Sequence, residues 1–407
     1  MIKISFTGDA MCSKEQRIAI ESNRLDYDTI FEPIKHFFNK SDYAIVNLET
    51  PVAGKEFGYT DQPASFNTPS NYCKALANIH VNMVTCANNH ILDRGVEGMY
   101  RTLDRLDELG IKHIGCYRNQ SECNQILVEK IGGLKIAFLS FTYGTNSEFN
   151  GNLLNDNEKY FVDLLKQQLP FGEASFQTKH NRQILAERYL HPHLMRFYWY
   201  FNKIYNRFLP YTGGCDVDTV NEKEITNPDN LPYIERLKEK IKLAKEQADF
   251  VFLCLHVGGQ YNDEIGLYTK YIYRQIERLD VDAVIGNHPH CVLGVYRKRK
   301  SLYTYSLGNF SFTPGGMWYV DSVYAEYTVV LHVYLNEKNK TVENYTYSVL
   351  KNVIGSDGVS RVFPVYDLIM KEANPITKNQ LLGDLRHVTK RFCGKSVRTA
   401  QKEYVIK

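Results

Sequence analysis

Apolar and polar positions along this chain follow two periods, one near two and one near 3.6. Ile2–Phe6 and Tyr43–Leu48 read as short apolar strands, and Asp28–Asn39 between them has helical spacing. Thr68-Pro69 predicts an N-cap with proline at the first helical position, opening a helix that leads to a strand at Val81–Thr85. Across Arg94–Leu109, Val96, Met99, Leu103 and Leu106 fall on one helical face, and Gly110 ends the element. Short strands are predicted at Lys112–Ile114 and Leu134–Ser140. Alternation of this kind predicts α/β layers around a central sheet.

Between about 150 and 229 the pattern breaks. The stretch is polar and irregular and carries the cluster Phe197, Tyr198, Trp199, Tyr200 and Phe201. It reads as an insertion whose aromatics build a small satellite core. A substrate-gripping lid and a membrane-contacting surface are the alternatives, the latter disfavoured because Arg196, Lys203 and Arg207 interrupt the apolar positions. The α/β pattern resumes with a helix at Leu231–Gln247, a buried strand at Asp249–Leu255, a helix at Gly266–Leu279 and a buried strand at Val281–Ile285. Leu302–Ser306 and the long Tyr324–Leu335 are β-rich, the second predicting antiparallel pairing. Arg297–Lys300 reads as a solvated hairpin turn. The tail Lys371–Lys407 holds nine Lys/Arg against three Asp/Glu, 9 − 3 = +6. It predicts a solvated helical surface, with a contact surface for an anionic polymer or partner as the alternative.

The 407 residues, 43% of them hydrophobic, suffice for one large α/β domain or for one domain with a big insertion. A charged fraction of 23% excludes wholesale disorder, and an unclustered net charge of +3 speaks against a nucleic-acid partner. Nine cysteines, an odd number without a CxxC pair, read as reduced thiols in a reducing compartment. The first residues already form a strand, with no basic segment and long apolar run before it, and no uncharged apolar stretch of membrane-spanning length follows. The expectation is a cytoplasmic protein without a transmembrane segment.

Candidate chemistry gathers at the C-terminal ends of predicted strands, where open α/β sheets place their sites. Asp9, Glu49, the run Asn88-Asn89-His90, His256, the pair His288 and His290, and Asn309 all stand there. Each alone is an ordinary cap, turn or core residue. Together they are coherent. Pro289 predicts extended backbone at His288, and residues two apart on extended backbone face one side, so two imidazoles reach one place. Two carboxylates, three imidazoles and an amide oxygen suit Zn²⁺, Mn²⁺ or Fe rather than Ca²⁺. Two such ions bridged by a carboxylate acidify water and clamp the attacking and leaving oxygens at a phosphoryl centre.

Gly8-Asp9, Asn47-Leu48-Glu49-Thr50-Pro51, Ala87-Asn88-Asn89-His90-Ile91-Leu92-Asp93-Arg94-Gly95, Leu255-His256-Val257-Gly258-Gly259-Gln260-Tyr261, Gly286-Asn287-His288-Pro289-His290 and Tyr305-Ser306-Leu307-Gly308-Asn309-Phe310 occur in that order. They resemble the successive motifs of the poly-γ-glutamate capsule-synthesis (CapA-type) family, a branch of the calcineurin-like metallophosphoesterases. The resemblance covers about 2–313, apart from the insertion. It implies a four-layer α/β/β/α sandwich with a mixed sheet pair over about 1–320, followed by a β-rich and then basic extension over 321–407 packing on the same domain. It also implies two divalent transition metals. Asp9 and His290 would hold the first, Asn89, His256 and His288 the second, and Glu49 would bridge them. His90 would donate to the leaving oxygen with Asp93 orienting it, and Asn88, Asn309 and Tyr261 would face the substrate.

Two departures stand out. Asp9-Ala10-Met11 lacks the His of the superfamily's Asp-x-His, leaving the first metal fewer nitrogen ligands, and Gln260 stands where relatives commonly carry Glu. Two readings follow. One is a metal-dependent hydrolase acting on a phosphate, amide or ester linkage of a small molecule or a capsule polymer. The other is a non-catalytic metal-binding scaffold among capsule-assembly partners.

Overall fold

The computed structural model describes residues 1–61, 65–174, 176–208, 216–315 and 323–407. Its strands are β1 (Ile2–Ala10), β2 (Tyr43–Leu48), β3 (Met83–Thr85), β4 (Lys112–Ile114), β5 (Leu127–Ile131), β6 (Leu134–Thr142), β7 (Phe250–His256) and β8 (Ala283–Asn287), followed by β9 (Val292–Lys298), β10 (Ser301–Leu307), β11 (Asn309–Ser311), β12 (Tyr327–Asn336), β13 (Thr341–Ile354), β14 (Ser360–Pro364) and β15 (Tyr404–Val405). They form two mixed sheets. The first has the order β14-β13-β12-β1-β2-β3-β4, with β11 beside β1 and β15 beside β13; the second runs β5-β6-β7-β8-β10-β9.

Side-chain alternation explains the layers. Along β1, Ile4 and Phe6 enter the core between the sheets; along β2, Ile45 does so while Ala44, Val46 and Leu48 face the opposite way, towards the helices Ser70–Asn78 and Gly95–Glu108. In the second sheet Ile136, Phe138, Phe252 and Cys254 enter the same inter-sheet core. Ala137, Leu139, Val251 and Leu253 pack outward on the helices Leu231–Gln247 and Leu267–Ile276. Phe6, Phe138 and Phe252 lock the sheets together, with ring centroids 5.2–6.5 Å apart. Burying each contributes about 1.5–3 kcal/mol. The result is the α/β/β/α sandwich that the motifs imply.

The described residues from 323 onward are built into this sandwich. β12 runs antiparallel to both β1 and β13, as its length predicts. The basic tail is not simply a solvated surface. The helix Pro375–Cys393 buries Leu385, Val388 and Phe392 in the inter-sheet core, and Tyr404 pairs with Tyr347 of β13.

Other local expectations shift for physical reasons. The helix expected at Asp28–Asn39 is broken into Asp28–Phe31 and two 3-10 turns, Glu32–Ile34 and Phe37–Lys40, because Pro33 brings no amide hydrogen. The helix after Thr68 starts at Ser70, with Pro69 itself in the extended cap position, while Thr68 Oγ1 pairs with Thr50 Oγ1 at 2.8 Å.

The satellite core expected in the insertion is not formed. The aromatic cluster sits on the helix Pro192–Phe208, and Phe197, Trp199, Tyr200 and Phe201 are exposed. Among the described residues no helix is long and apolar enough to cross a membrane.

Candidate metal centre

Parallel pairing brings the site's strands to a common end. β1, β2 and β3 are parallel neighbours, and so are β7 and β8. Asp9 lies opposite Asn47 on β2 and opposite Asn309 on β11. Gly8 makes that last approach possible. A Cβ there would stand 1.7 Å from the Gly308 carbonyl oxygen, which accepts from the Asp9 amide at 2.9 Å. No side chain fits.

Asp9, Glu49, Asn89, His256, His288 and His290 are all buried. Their ligand atoms fall into two clusters, one of Glu49, His288 and His290 and one of Asp9, Glu49 and His256, each with its atoms within 4.8 Å of one another. Glu49 belongs to both. This grouping differs from the one the motifs imply, yet three of the pairs implied there also lie close. Asp9 Oδ2 lies 3.5 Å from His290 Nδ1, His256 Nε2 lies 3.1 Å from His288 Nδ1, and His256 Nε2 lies 2.8 Å from Asn89 Oδ1.

His288 reaches the site by a different backbone route from the one its proline predicts. It sits at φ 101°, and His290 at φ 56°, both left-handed rather than extended. Such conformations cost about 1–3 kcal/mol each and persist only where the surroundings enforce them. Here the His288 amide donates to Asp9 Oδ2 at 3.1 Å. Pro289 fills the space beside Gly258, where a Cβ would lie 2.7 Å from Pro289 Cγ.

The electrostatics fit a cation. Both oxygens of Glu49 and the Nε2 of His288 are buried with no hydrogen-bond partner, a costly state unless something else satisfies them. Burial, and then the neighbouring Glu49, pushes the Asp9 carboxyl up to about 8, and burial raises Glu49 against the pull of His290 and His90. A bound metal reverses both penalties. Burial lowers His256 to about 3, holds His288 well below the ordinary range and lowers His290. All three are therefore neutral imidazoles, the form that binds metal.

His90 is handled differently. Its Nδ1 lies 2.6 Å from Asp93 Oδ2, which also accepts from the Phe66 amide at 2.7 Å. Burial opposes the charged ring, but Asp93, Glu49 and Asp9 outweigh it and raise its pKa. His90 belongs to neither ligand cluster.

The remaining expected residues are present but occupied. Asn88 donates to the Leu48 carbonyl and accepts from the His90 amide. Asn309 Oδ1 lies 3.0 Å from His290 Nδ1 while its Nδ2 donates to the carbonyls of His290 and Ala325. The Tyr261 ring lies 5.1 Å from that of His290. Met11 is buried, its amide on the Ser311 carbonyl.

Three further residues complete the site, and none was singled out from the sequence. Asn47 donates to Asp9 at 2.7 Å and touches His256 Nδ1 at 3.2 Å. Tyr143 packs its ring 4.7 Å from His288. Asn146, left-handed at φ 54°, accepts from Asn89 and lies 3.4 Å from His90 Nδ1. Asn47 shares a motif with Glu49, which is the one available signal; Tyr143 and Asn146 read only as the end of a strand and a turn.

Groups that orient metal ligands typically control affinity by about 10–100-fold. Asn309→Ala is therefore expected to weaken metal binding by about that factor through His290. A competitive chelator titration measures it, and unchanged affinity would assign Asn309 elsewhere.

The sequence profile of a family described as bacterial capsule synthesis protein PGA_cap matches residues 3–314, most of the chain. The chain belongs to this family. A PGA biosynthesis protein CapA of Bacillus subtilis (strain 168) is 23% identical over 329 residues, 80% of this chain and 67% of its own length. A capsule biosynthesis protein CapA of Bacillus anthracis is 20% identical over 80% of this chain and 63% of its own. The chain thus spans about two thirds of the length of these curated family members. A solved structure described as a novel phosphatase of Mycoplasma pneumoniae overlaps 86% of this chain and 93% of its own, at TM-score 0.40 and 14% identity.

Proposed function

We propose that this family member is a metal-dependent hydrolase of the phosphoesterase type, acting in capsule, poly-γ-glutamate or exopolysaccharide biosynthesis. The observation that carries the reading is the Glu49 carboxylate, buried without a hydrogen bond to either oxygen and shared by two ligand clusters. Asp9, Glu49, Asn89, His256, His288 and His290 would hold two divalent ions, Mn, Fe or Zn. When bound, such ions supply Lewis acidity at a phosphoryl or acyl oxygen.

The chain's own groups do the rest. Asp93 accepts a hydrogen bond from the Nδ1 proton of His90 and, with Glu49 and Asp9, favours the charged ring, so that the Nε2 proton is the one given to the leaving oxygen. Asn47 and the His288 amide hold Asp9, and Asn309 holds His290. The substrate is a phosphate, amide or ester linkage in a small molecule or a surface polymer, and other capsule-assembly proteins are the natural partners.

The scaffold reading keeps one observation in its favour. Gln260 and Met11 stand where a charged and a metal-binding side chain are expected. One experiment separates the two readings. After reconstitution the chain is expected to hold one to two equivalents of Mn, Fe or Zn and to hydrolyse an aryl phosphodiester or phosphomonoester only with metal added. Metal below about 0.2 equivalents would sink the metal centre. Full metal without turnover on any phosphoester, amide or glycan-linked ester would leave the scaffold.

A further inference from the structure

The helix Pro192–Phe208 presents its apolar side to solvent. Leu194, Phe197, Phe201 and Ile204 recur at helical spacing on one stripe, and they are 50%, 61%, 64% and 39% exposed. Arg196 and Lys203, seven apart, lie on a neighbouring stripe, so the charges flank the apolar face rather than interrupt it. The half-buried side chains are Met195, Tyr198 and Asn202, which mark the protein-facing side. The helix contains no Asp or Glu. The preceding helix, Asn181–Tyr189, adds exposed Leu185 and Tyr189, and Leu190 follows it.

The hairpin stands on a firm base. His180 Nδ1 lies 2.6 Å from Glu264 Oε2, and Asn181 donates to the Ile265 carbonyl at 2.7 Å. On its far side the Thr219 amide donates to the Gly258 carbonyl, and Asp218 accepts from the amide and hydroxyl of Thr269. The insertion is thus fastened to the segment after β7 while its aromatic helix faces outward.

We propose that this helix docks the protein on an anionic lipid surface, lying in the plane of the interface. Charge decides between occupants. Soluble proteins rarely leave a contiguous apolar stripe uncovered. An apolar face beside a purely basic one, with Tyr200 between, is the composition of a helix at the headgroup boundary. A second copy meeting the same face across a two-fold axis would bring Arg196 and Lys203 against themselves or their like. An anionic bilayer accepts both stripes at once, with Lys203 and Arg196 at phosphates and Phe197 and Phe201 below them.

The full chain is mixed with vesicles of phosphatidylcholine alone or with phosphatidylglycerol added. Expected is co-sedimentation with the anionic vesicles only, weakening as salt rises. Phe197→Ser/Phe201→Ser and Arg196→Glu/Lys203→Glu are each expected to lower the partition coefficient by at least about tenfold. Their far-ultraviolet spectra and hydrolytic rates on soluble substrate should not change. In a Trp199→Phe/Trp318→Phe background, Phe197→Trp supplies a single tryptophan on the apolar stripe, and its emission should shift to the blue and be quenched by brominated lipid. This readout holds even where a surface variant folds poorly. Absence of anionic-vesicle binding, equal binding to neutral vesicles, or binding untouched by both double variants would overturn the proposal. So would concentration-dependent dimerisation that Phe197→Ser/Phe201→Ser abolishes, which would make the face a contact between copies.

Discussion

Glu49→Gln is expected to empty both metal positions and to take hydrolysis below detection. Glu49 is the one side chain common to the two ligand clusters, and neither of its oxygens has a hydrogen-bond partner, although His256 Nε2 lies 3.3 Å from Oε1. Glutamine keeps the shape but offers one neutral oxygen where two anionic ones stood, so neither ion retains its shared carboxylate. The variant should remain folded. A carboxylate sealed away from water without hydrogen bonds is costly, and burial already raises the pKa of Glu49. Removing that charge leaves the metal-free variant melting no lower than the metal-free parent. Elemental analysis and a thermal melt measure the two halves separately. Metal retained at the parent's level would show that Glu49 is not the shared ligand. His256→Ala gives the contrast, since it removes a member of only one cluster; it should lose metal less completely than Glu49→Gln.

The second large effect is expected at His90, with the opposite metal outcome. His90→Ala should keep its full metal complement, because the ring belongs to neither cluster, while kcat falls by about 10²–10⁴-fold, the usual loss for a positioned proton donor. Asp93→Asn should fall in the same direction. It leaves a group that no longer fixes the Nδ1 proton, and the imidazole can then present the wrong nitrogen. Steady-state rates on an aryl phosphodiester with manganese, read alongside metal content, decide the matter. Metal loss in His90→Ala would make His90 a ligand, and a parental rate would remove it from the chemistry while leaving the hydrolase class intact.

Local periodicity is enough to place the layers and the reacting positions. Alternation with period two is a local property, so Ile4, Phe6, Ala44, Val46 and Leu48 could be assigned to strands, and the polar residues after them to strand ends, without knowing any neighbour. That sufficed to pick out Asp9, Glu49, Asn89, His90, His256, His288 and His290, which the fold then brings to one end of two sheets.

How they meet depends on contacts between distant segments. The left-handed backbone at His288 is enforced by Asp9, 279 residues away, and by the gap at Gly258, so the local preference set by Pro289 lost. Asn47, Tyr143 and Asn146 owe their place to strand order, which no short window encodes. The aromatic helix makes the same point in reverse. Its composition was plain, and core burial was the natural reading of five consecutive aromatics. Which face lies against the protein depends on how the hairpin is fastened at His180 and Thr219. Periodicity is written in neighbours along the chain; register, exposure and ligand pairing are written in contacts between segments far apart in it.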